Sequence, residues 1–285
     1  MFRSTLLFAL AQLVAFTGLA TSVMAQPVNP NELIILTTTT VQDSRILGVL
    51  TDAFAERSGL TVKAFVAGSG AILKEGAHGG GDVLLTHSPE AEKVWMADGN
   101  GTSRRLVMYN DFVIIGPEAD PANIKGLKAA DALRRIAEAK APFVSRGDQS
   151  GTHVREVAVW KRAGIEPKGQ SWYHETGQRQ GLTMHVASQS KAYALTDRGT
   201  YLVHARRIGL SVLVDDDPAM RNIYHVMTVN GAKFSKVNAA AGWAFAVWVT
   251  APQGQAVIAE FGKAEYGRSL FVPAATKRED DLYRN

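Results

Sequence analysis

The sequence contains no cysteine among its 285 residues. Disulfide bonds are therefore excluded, and so is the acylated cysteine that anchors bacterial lipoproteins. A chain without such cross-links must be held together by its core. With 46% hydrophobic residues, this chain has enough apolar side chains to build one.

A strong charge of one sign is also missing. There are 31 lysines and arginines against 27 aspartates and glutamates, so the formal net charge is +4. The basic residues are dispersed, and they cluster only in pairs such as Arg104-Arg105. Because nucleic-acid binding needs a basic stripe or patch, we expect no nucleic-acid partner. A mild positive excess helps to gather small anions without identifying one.

Long hydrophobic runs are absent except at the N-terminus. Arg3 precedes the apolar stretch Leu6–Ala20, and Val23-Met24-Ala25 follows with the residue types of a cleavage site. This pattern predicts a cleaved signal peptide over residues 1–25, and the apolar stretch is short for a membrane span. An uncleaved anchor is the alternative. A secreted chain with no lipid anchor is most simply a free periplasmic protein.

Short apolar runs alternate with helical patterns through the rest of the chain. The runs at 33–36 and 112–115 predict buried strands, 61–66 and 82–85 predict further strands, and the alternation predicts parallel βαβ units. The pattern then restarts, which indicates two α/β lobes. We place the first lobe at 32–113 plus 227–285, and the second lobe at 114–226.

The segment Ser145–Thr152 joins the apolar run Pro142–Val144 to a predicted helix. It combines two serines, a threonine, an arginine and two glycines at a helix start, where unpaired backbone N–H groups attract anions. Glycine allows close approach to the backbone, while hydroxyl groups and a guanidinium add donors. The segment predicts a site for a compact oxyanion. Ordinary helix capping, with Arg146 and Asp148 as a solvated ion pair, is the alternative.

Four consecutive threonines, Thr37–Thr40, follow the predicted strand Leu33–Leu36. In open α/β sheets, ligands bind outside the carboxyl ends of the strands, and both hydroxyl-rich segments occupy that position. We therefore expect a binding cleft between the lobes. A purely structural role remains open for the threonines, since threonine suits strands and strand ends.

An enzyme and a metal centre are the alternatives from other functional classes. Ser188 and Lys191 match Ser-x-x-Lys, the nucleophile motif of penicillin-interacting enzymes, but the companion Lys-Thr-Gly is absent. The seven histidines are scattered without metal-ligand spacing. The sequence therefore favours neither a periplasmic serine hydrolase nor a bound metal, and it implies no cofactor.

Six motifs in order along the chain resemble the tungstate-specific periplasmic binding proteins of ABC transporters. The motifs lie at Thr37–Ser44, Gly81–Glu90, Met108–Phe112, Ser145–Thr152, Glu175–Gln178 and Leu195–Tyr201. The resemblance implies a two-lobed type II periplasmic binding protein, in which each lobe is a mainly parallel sheet flanked by helices. It implies a tungstate dianion held in the cleft, and a membrane permease with its ATPase as partners. It implies no enzymatic activity, and such binding proteins resemble monomers.

The resemblance also implies that the threonine segment and Ser145-Arg146 face the oxyanion across the cleft. We assign Arg146 as the main charged contact, with hydroxyl and backbone donors around it. The predicted ligand-binding residues are Thr38, Thr39, Thr40, Ser145, Arg146, Ser150, Gly151 and Thr152. Thr176, Arg179 and Arg198 are further candidates, and the two arginines are the replacements should Arg146 not serve.

Phosphate and molybdate are the competing ligands for the same fold. Phosphate retains a proton near neutral pH, so a phosphate site gains from a buried carboxylate acceptor, and Asp148 has the right place for one. In the favoured interpretation, Asp148 instead pairs with Arg146 or caps the helix. Molybdate matches tungstate in charge and geometry, and only the resemblance favours tungstate.

Overall fold

The computed structural model describes residues 28–283. The predicted signal peptide, residues 1–25, lies outside this range. No helix among the described residues combines the length and the apolar character needed to cross a lipid bilayer.

The described chain alternates strands and helices. The strands are β1 (Glu32–Thr38), β2 (Thr61–Ala67), β3 (Val83–Thr86), β4 (Gly101–Gly116), β5 (Phe143–Ser145), β6 (Tyr173–Glu175), β7 (Ala194–Asp197), β8 (Ser211–Val214), β9 (Arg221–Val229) and β10 (Val272–Pro273). The α-helices are α1 (Thr39–Asp43), α2 (Ile46–Ser58), α3 (Ser69–Gly76), α4 (Pro89–Ala97), α5 (Ala129–Glu138), α6 (Gly151–Ala163), α7 (Gln180–Gln189), α8 (Arg198–Ile208), α9 (Ala239–Thr250), α10 (Pro252–Glu260) and α11 (Lys263–Tyr266). Two 3₁₀ turns lie at Pro218–Met220 and Glu279–Tyr283.

The main sheet has the strand order β10-β4-β9-β3-β1-β2, and β7 and β8 also pair with β4. Strand β1 is parallel to β2 and β3, as the alternation predicts, and β5 and β6 form a separate parallel pair. Strands β4 and β9 are antiparallel to each other. In the predicted division, β4 carries the chain out of the first lobe and β9 carries it back.

Strand β4 is much longer than the run predicted at 112–115. Its first half contains Arg104 and Arg105, which the sequence indicates as solvated. In the structure, Arg104 Nε donates to Glu92 Oε2 at 3.0 Å, and the Glu92 side chain is fully buried. A polar network therefore covers this half of the strand, and apolar periodicity does not reveal it.

The apolar core changes over along β4 and near the start of β9. Met108 packs in a cluster with the strands of the first lobe, whereas Phe112 packs in a cluster with α5 and α6. Met220 belongs to the second of these clusters and Tyr224 to the first. The lobe boundaries placed after residues 113 and 226 stay a prediction.

The chain passes from β1 into two consecutive helices without a long loop. The strand ends at Thr38, the short helix α1 follows at once, and α2 starts after Arg45. Arg45 has a φ of 68°, in the left-handed region, and makes no side-chain cap. The second half of the threonine segment is therefore helical and lies at the edge where β1 ends.

Candidate functional site

Two hydroxyl groups of the threonine segment Thr37–Thr40 have opposite surroundings, since one has a hydrogen-bond partner and the other has none among residues 28–283. Thr37 Oγ1 donates to the Leu85 carbonyl oxygen at 2.9 Å, which ties β1 to β3. Thr38 is 2% exposed, and its Oγ1 has no hydrogen-bond partner among residues 28–283. Thr38 precedes α1 but makes no capping bond with its side chain. Capping therefore does not explain the buried Thr38 hydroxyl group.

The second loop, Ser145–Thr152, runs from the end of β5 to the first turn of α6. Gly147 and Gln149 both have a positive φ, of 62° and 58°, which folds the loop tightly. Ser150 is the N-cap residue of α6, and its side chain accepts from the His153 backbone N–H. Ser150 therefore caps α6, as the alternative interpretation of this segment expects. Thr152, 1% exposed, keeps a buried Oγ1 with no partner within the described chain.

Arg146 is the buried charge of this loop, with 1% of its surface exposed. Its Nε and Nη2 donate to Asp148 Oδ2 at 3.1 and 2.5 Å. Its Nη1 is buried and lacks a hydrogen-bond partner in the part of the chain that the structure describes. A buried guanidinium nitrogen without a partner is costly, so the loop presents one unused charged donor.

Asp148 is held by two groups. Its Oδ1 accepts from the Ser150 backbone N–H at 3.1 Å, and its Oδ2 accepts from Arg146. Burial raises the pKa of Asp148, but the hydrogen bonds from Ser150 and the charge of Arg146 outweigh this effect, so the pKa lies below its ordinary value. The carboxylate is thus ionised and occupied, as the pairing interpretation predicted.

The two loops meet across the lobes. Burial raises the pKa of Asp43, at the end of α1, while the charges of Arg146 and Arg179 act on the same carboxyl group in the opposite direction. The first residue of α6, Gly151, lies against the ring of His87, which follows β3. Helix α1 and the Arg146 loop therefore face one buried place at the carboxyl ends of their strands.

A family model described as a PBP superfamily domain matches residues 24–253. The chain belongs to the PBP superfamily. The tungstate-binding protein TupA of Peptoclostridium acidaminophilum is 40% identical over 248 residues, which cover 86% of each chain. A putative ABC transporter anion-binding protein of Haloferax volcanii is 42% identical over 250 residues, which cover 86% of this chain and 72% of that protein.

Among solved structures, the tungstate-binding protein TupA of Desulfovibrio alaskensis G20 superimposes with a TM-score of 0.76 at 41% identity, covering 86% of this chain and 99% of that one. These likenesses confirm the predicted resemblance and the two-lobed α/β fold class. The names of both TupA relatives describe binding proteins and not enzymes.

In this PBP chain, Ser145 is, like Ser150, a predicted ligand residue whose hydroxyl group already has a partner nearby in the chain. It is fully buried, its Oγ accepts from the Gly147 N–H at 3.2 Å, and it hydrogen-bonds with Glu156. Thr39 and Thr40, by contrast, are buried in α1 directly beyond Thr38. Ser145 is thus bound from within its own lobe.

Of the further candidates in this PBP chain, Arg198 and Thr176 have partners elsewhere. The Arg198 guanidinium lies between Asp111 and Asp215, with Nη2 at 2.5 and 2.9 Å from their carboxylate oxygens. Thr176 Oγ1 donates to the Ser145 carbonyl oxygen at 3.2 Å. Arg179 is exposed at the start of α7 and acts on Asp43. Arg146 is therefore the arginine with a buried nitrogen left free among the described residues.

Ser69 is a candidate site residue that the sequence analysis does not name. It is buried at the start of α3, and its Oγ lacks a partner among the residues described. Since Ala67 pairs with Thr38 in the β1–β2 register, Ser69 begins its helix at the same sheet edge. The sequence Gly68-Ser69-Gly70 after a strand was the pattern that could have found it.

The residues of the competing classes have structural partners. Ser188 Oγ donates to the backbone carbonyl of Ile208, and no cluster of metal-ligating side chains occurs within residues 28–283. The serine of the Ser-x-x-Lys match is therefore engaged by the backbone of the fold.

Proposed function

We propose that this chain is the periplasmic substrate-binding component of an ABC importer, and that it captures tungstate between its two lobes. The proposal depends most on four buried donors that have no hydrogen-bond partner among residues 28–283: Thr38 Oγ1, Ser69 Oγ, Arg146 Nη1 and Thr152 Oγ1. They come from both predicted lobes. Relatives named as tungstate-binding and anion-binding proteins support the same ligand class.

The donor chemistry suits an oxyanion that carries no proton. At neutral pH the oxygens of tungstate only accept hydrogen bonds, so its site needs hydroxyl groups, backbone N–H groups and a guanidinium. Each hydrogen bond to a charged group contributes on the order of 1.5 to 3 kcal/mol, so several converging donors offset the cost of dehydrating the dianion. The start of α6 adds the backbone donors of Ser150 and Gly151.

Phosphate is the competing ligand for this donor set. A phosphate site gains from a free carboxylate acceptor: Asp148 is occupied by Arg146 and Ser150, but Asp43 Oδ2 is buried without a hydrogen-bond partner among residues 28–283. Molybdate has the charge and shape of tungstate and remains the alternative of the same class. The name of the Peptoclostridium relative supports tungstate.

The remaining parts of the proposal concern the cell. A cleaved signal peptide over residues 1–25 would deliver the chain to the periplasm, where a membrane permease and its ATPase would receive the loaded, monomeric protein. A closed state is favoured when both lobes contact the anion at once, because differential affinity shifts the population. The predicted division at 32–113 plus 227–285 and 114–226 supplies the two moving bodies.

Arginine substitution tests the proposal. We expect Arg146→Ala to weaken tungstate binding at least about 30-fold, or about 2 kcal/mol, because it removes the charged donor from a desolvated site. Arg198→Ala is the matched control, since its guanidinium is already held by Asp111 and Asp215. Titration calorimetry on the mature protein measures both. Unchanged affinity in Arg146→Ala would contradict the site.

A further inference from the structure

His87 is a buried histidine that the anion chemistry does not use. It follows β3 in the first lobe, is 5% exposed, and stacks on Tyr224 with ring centroids 4.8 Å apart. Burial lowers its pKa to about 4, although Asn222 and Glu92 act in the opposite direction. The ring is therefore neutral at pH 7.

A chain of buried amides fixes how this ring is oriented. Asn110 Nδ2 donates to Asp197 Oδ1 at 3.3 Å, and Asn222 Nδ2 donates to Asn110 Oδ1 at 2.9 Å. Asn222 Oδ1 is thereby left as the acceptor for His87 Nδ1 at 2.8 Å. Asn110 and Asn222 are cross-strand partners on β4 and β9, the two strands that connect the lobes. The connecting strands thus hold the His87 ring in one tautomer and one position.

The edge of this ring meets the first residue of α6 in the other lobe. A Cβ added to Gly151 would lie 2.6 Å from His87 Cε1 and 3.0 Å from Nε2. Gly151 has no positive φ, so its backbone conformation is open to any residue. Alanine is the better helix former by about 1 kcal/mol, so helix propensity does not require glycine here. The close approach of the His87 ring is the reason that position 151 requires glycine.

We propose that His87 is a positioning residue. Its ring is the surface against which the N-terminus of α6 packs when the two lobes enclose the anion. The inference rests on the proposed function, because the first turn of α6 carries Ser150, Gly151 and Thr152. The hydrogen-bonded chain from Asp197 through Asn110 and Asn222 fixes the position of the His87 ring. The backbone donors of α6 are thereby placed from the opposite lobe, and a side chain at position 151 would push them away.

The packing of α6 against His87 is tested by two substitutions, one that adds a side chain at Gly151 and one that removes the ring at His87. We expect Gly151→Ala to weaken tungstate binding by at least about tenfold, and the double variant Gly151→Ala with His87→Ala to bind within about threefold of His87→Ala alone. Gly48→Ala is the control, because a Cβ at this helical glycine meets no atom within 4 Å. Rescue by the second substitution is a result that general destabilisation does not produce.

The wild type, Gly151→Ala, His87→Ala and the double variant, unfolded in urea without anion, give a second double-mutant cycle. Here we expect Gly151→Ala to lower the free energy of unfolding, and the His87→Ala background to remove that loss. Wild-type affinity in Gly151→Ala, or no rescue in the double variant, would overturn the proposal that His87 positions α6. If the wild type binds no oxyanion, the proposed function fails, and the unfolding cycle alone decides whether His87 and Gly151 are coupled.

Discussion

Thr37 and Thr38 are neighbours on one strand whose hydroxyl groups have opposite surroundings. Thr37 Oγ1 donates to Leu85, whereas Thr38 Oγ1 is buried without a partner among residues 28–283. Valine has nearly the same shape as threonine and lacks the hydroxyl group. The two positions therefore separate a hydroxyl group that stabilises the fold from one that is free for a ligand.

For Thr38→Val, we predict unchanged or higher stability and about tenfold weaker tungstate binding, since a buried unsatisfied hydroxyl group is removed. For Thr37→Val, we predict a loss of about 1 kcal/mol in unfolding free energy with little change in affinity. Urea unfolding and calorimetry on both variants provide the comparison. The reverse pattern would show that Thr37, not Thr38, faces the anion.

Asp148 distinguishes the two oxyanion interpretations at the level of one residue. Its carboxylate is occupied by Arg146 and Ser150 and does not face a ligand proton. We predict that Asp148→Asn keeps tungstate affinity within about tenfold, or about 1.4 kcal/mol. Calorimetry decides the matter. A much larger loss, together with native phosphate binding in the wild type, would make Asp148 the acceptor of a phosphate site.

Residue types and their order predict part of the site and not all of it. Arg146 could be proposed because it lies between a predicted strand and a glycine-containing helix start, and because the resemblance implies that Ser145-Arg146 faces the oxyanion. The partners of Ser145 could not, since they depend on Glu156, which approaches from the next helix. Ser69 was missed because one serine between glycines carries little information until β2 is placed beside β1.

At the scale of elements, Glu156 joins α6 to the two short strands of the second lobe. Its Oε1 accepts from Tyr173 on β6 at 2.7 Å, and it hydrogen-bonds with Ser145 on β5. Burial raises the pKa of Glu156 to about 7, although the bonds from Tyr173 and Ser145 favour the ionised form. A carboxyl group that titrates near neutrality thus lies beneath the Arg146 loop.

This pKa makes stability depend on pH. Between pH 4.5 and about 7, the folded chain holds a proton on Glu156 that the unfolded chain releases, so its contribution is present below this range and is lost as pH rises. We predict that Glu156→Gln gains on the wild type with rising pH, by up to about 3 kcal/mol at pH 8. Urea unfolding of both proteins at several pH values gives the difference. Parallel curves would contradict the raised pKa.

The apolar runs predict β1 and β3 nearly to the residue, because both strands are buried in the core. They do not predict the first half of β4, since Arg104, Glu92 and His225 form an ion-paired network there instead of an apolar face. The helix Ala239–Thr250 is uniformly apolar and ends just before a proline, so the sequence pattern marks it clearly. Elements are thus predictable where apolar burial, and not polar pairing, defines them.

At the scale of the whole molecule, the crossing strands β4 and β9 connect the hydrogen-bonded chain of Asp197, Asn110, Asn222 and His87 to both sides of the cleft. The alternation of strands and helices predicts two α/β lobes but not this connection, because residues from four distant segments build it. Anion capture and lobe position are coupled if the His87 ring positions the N-terminus of α6. Binding should therefore stabilise the whole fold.

Calorimetry and thermal unfolding of the mature protein with tungstate, molybdate, sulfate, phosphate or no anion would test the central proposal most directly. A ligand that binds only the folded state adds about 2.7 kcal/mol of stability at a hundredfold excess over its Kd. We predict such a shift with tungstate and none with phosphate or sulfate. A shift with phosphate alone would contradict the donor-only site, and no shift with any anion would contradict oxyanion capture itself.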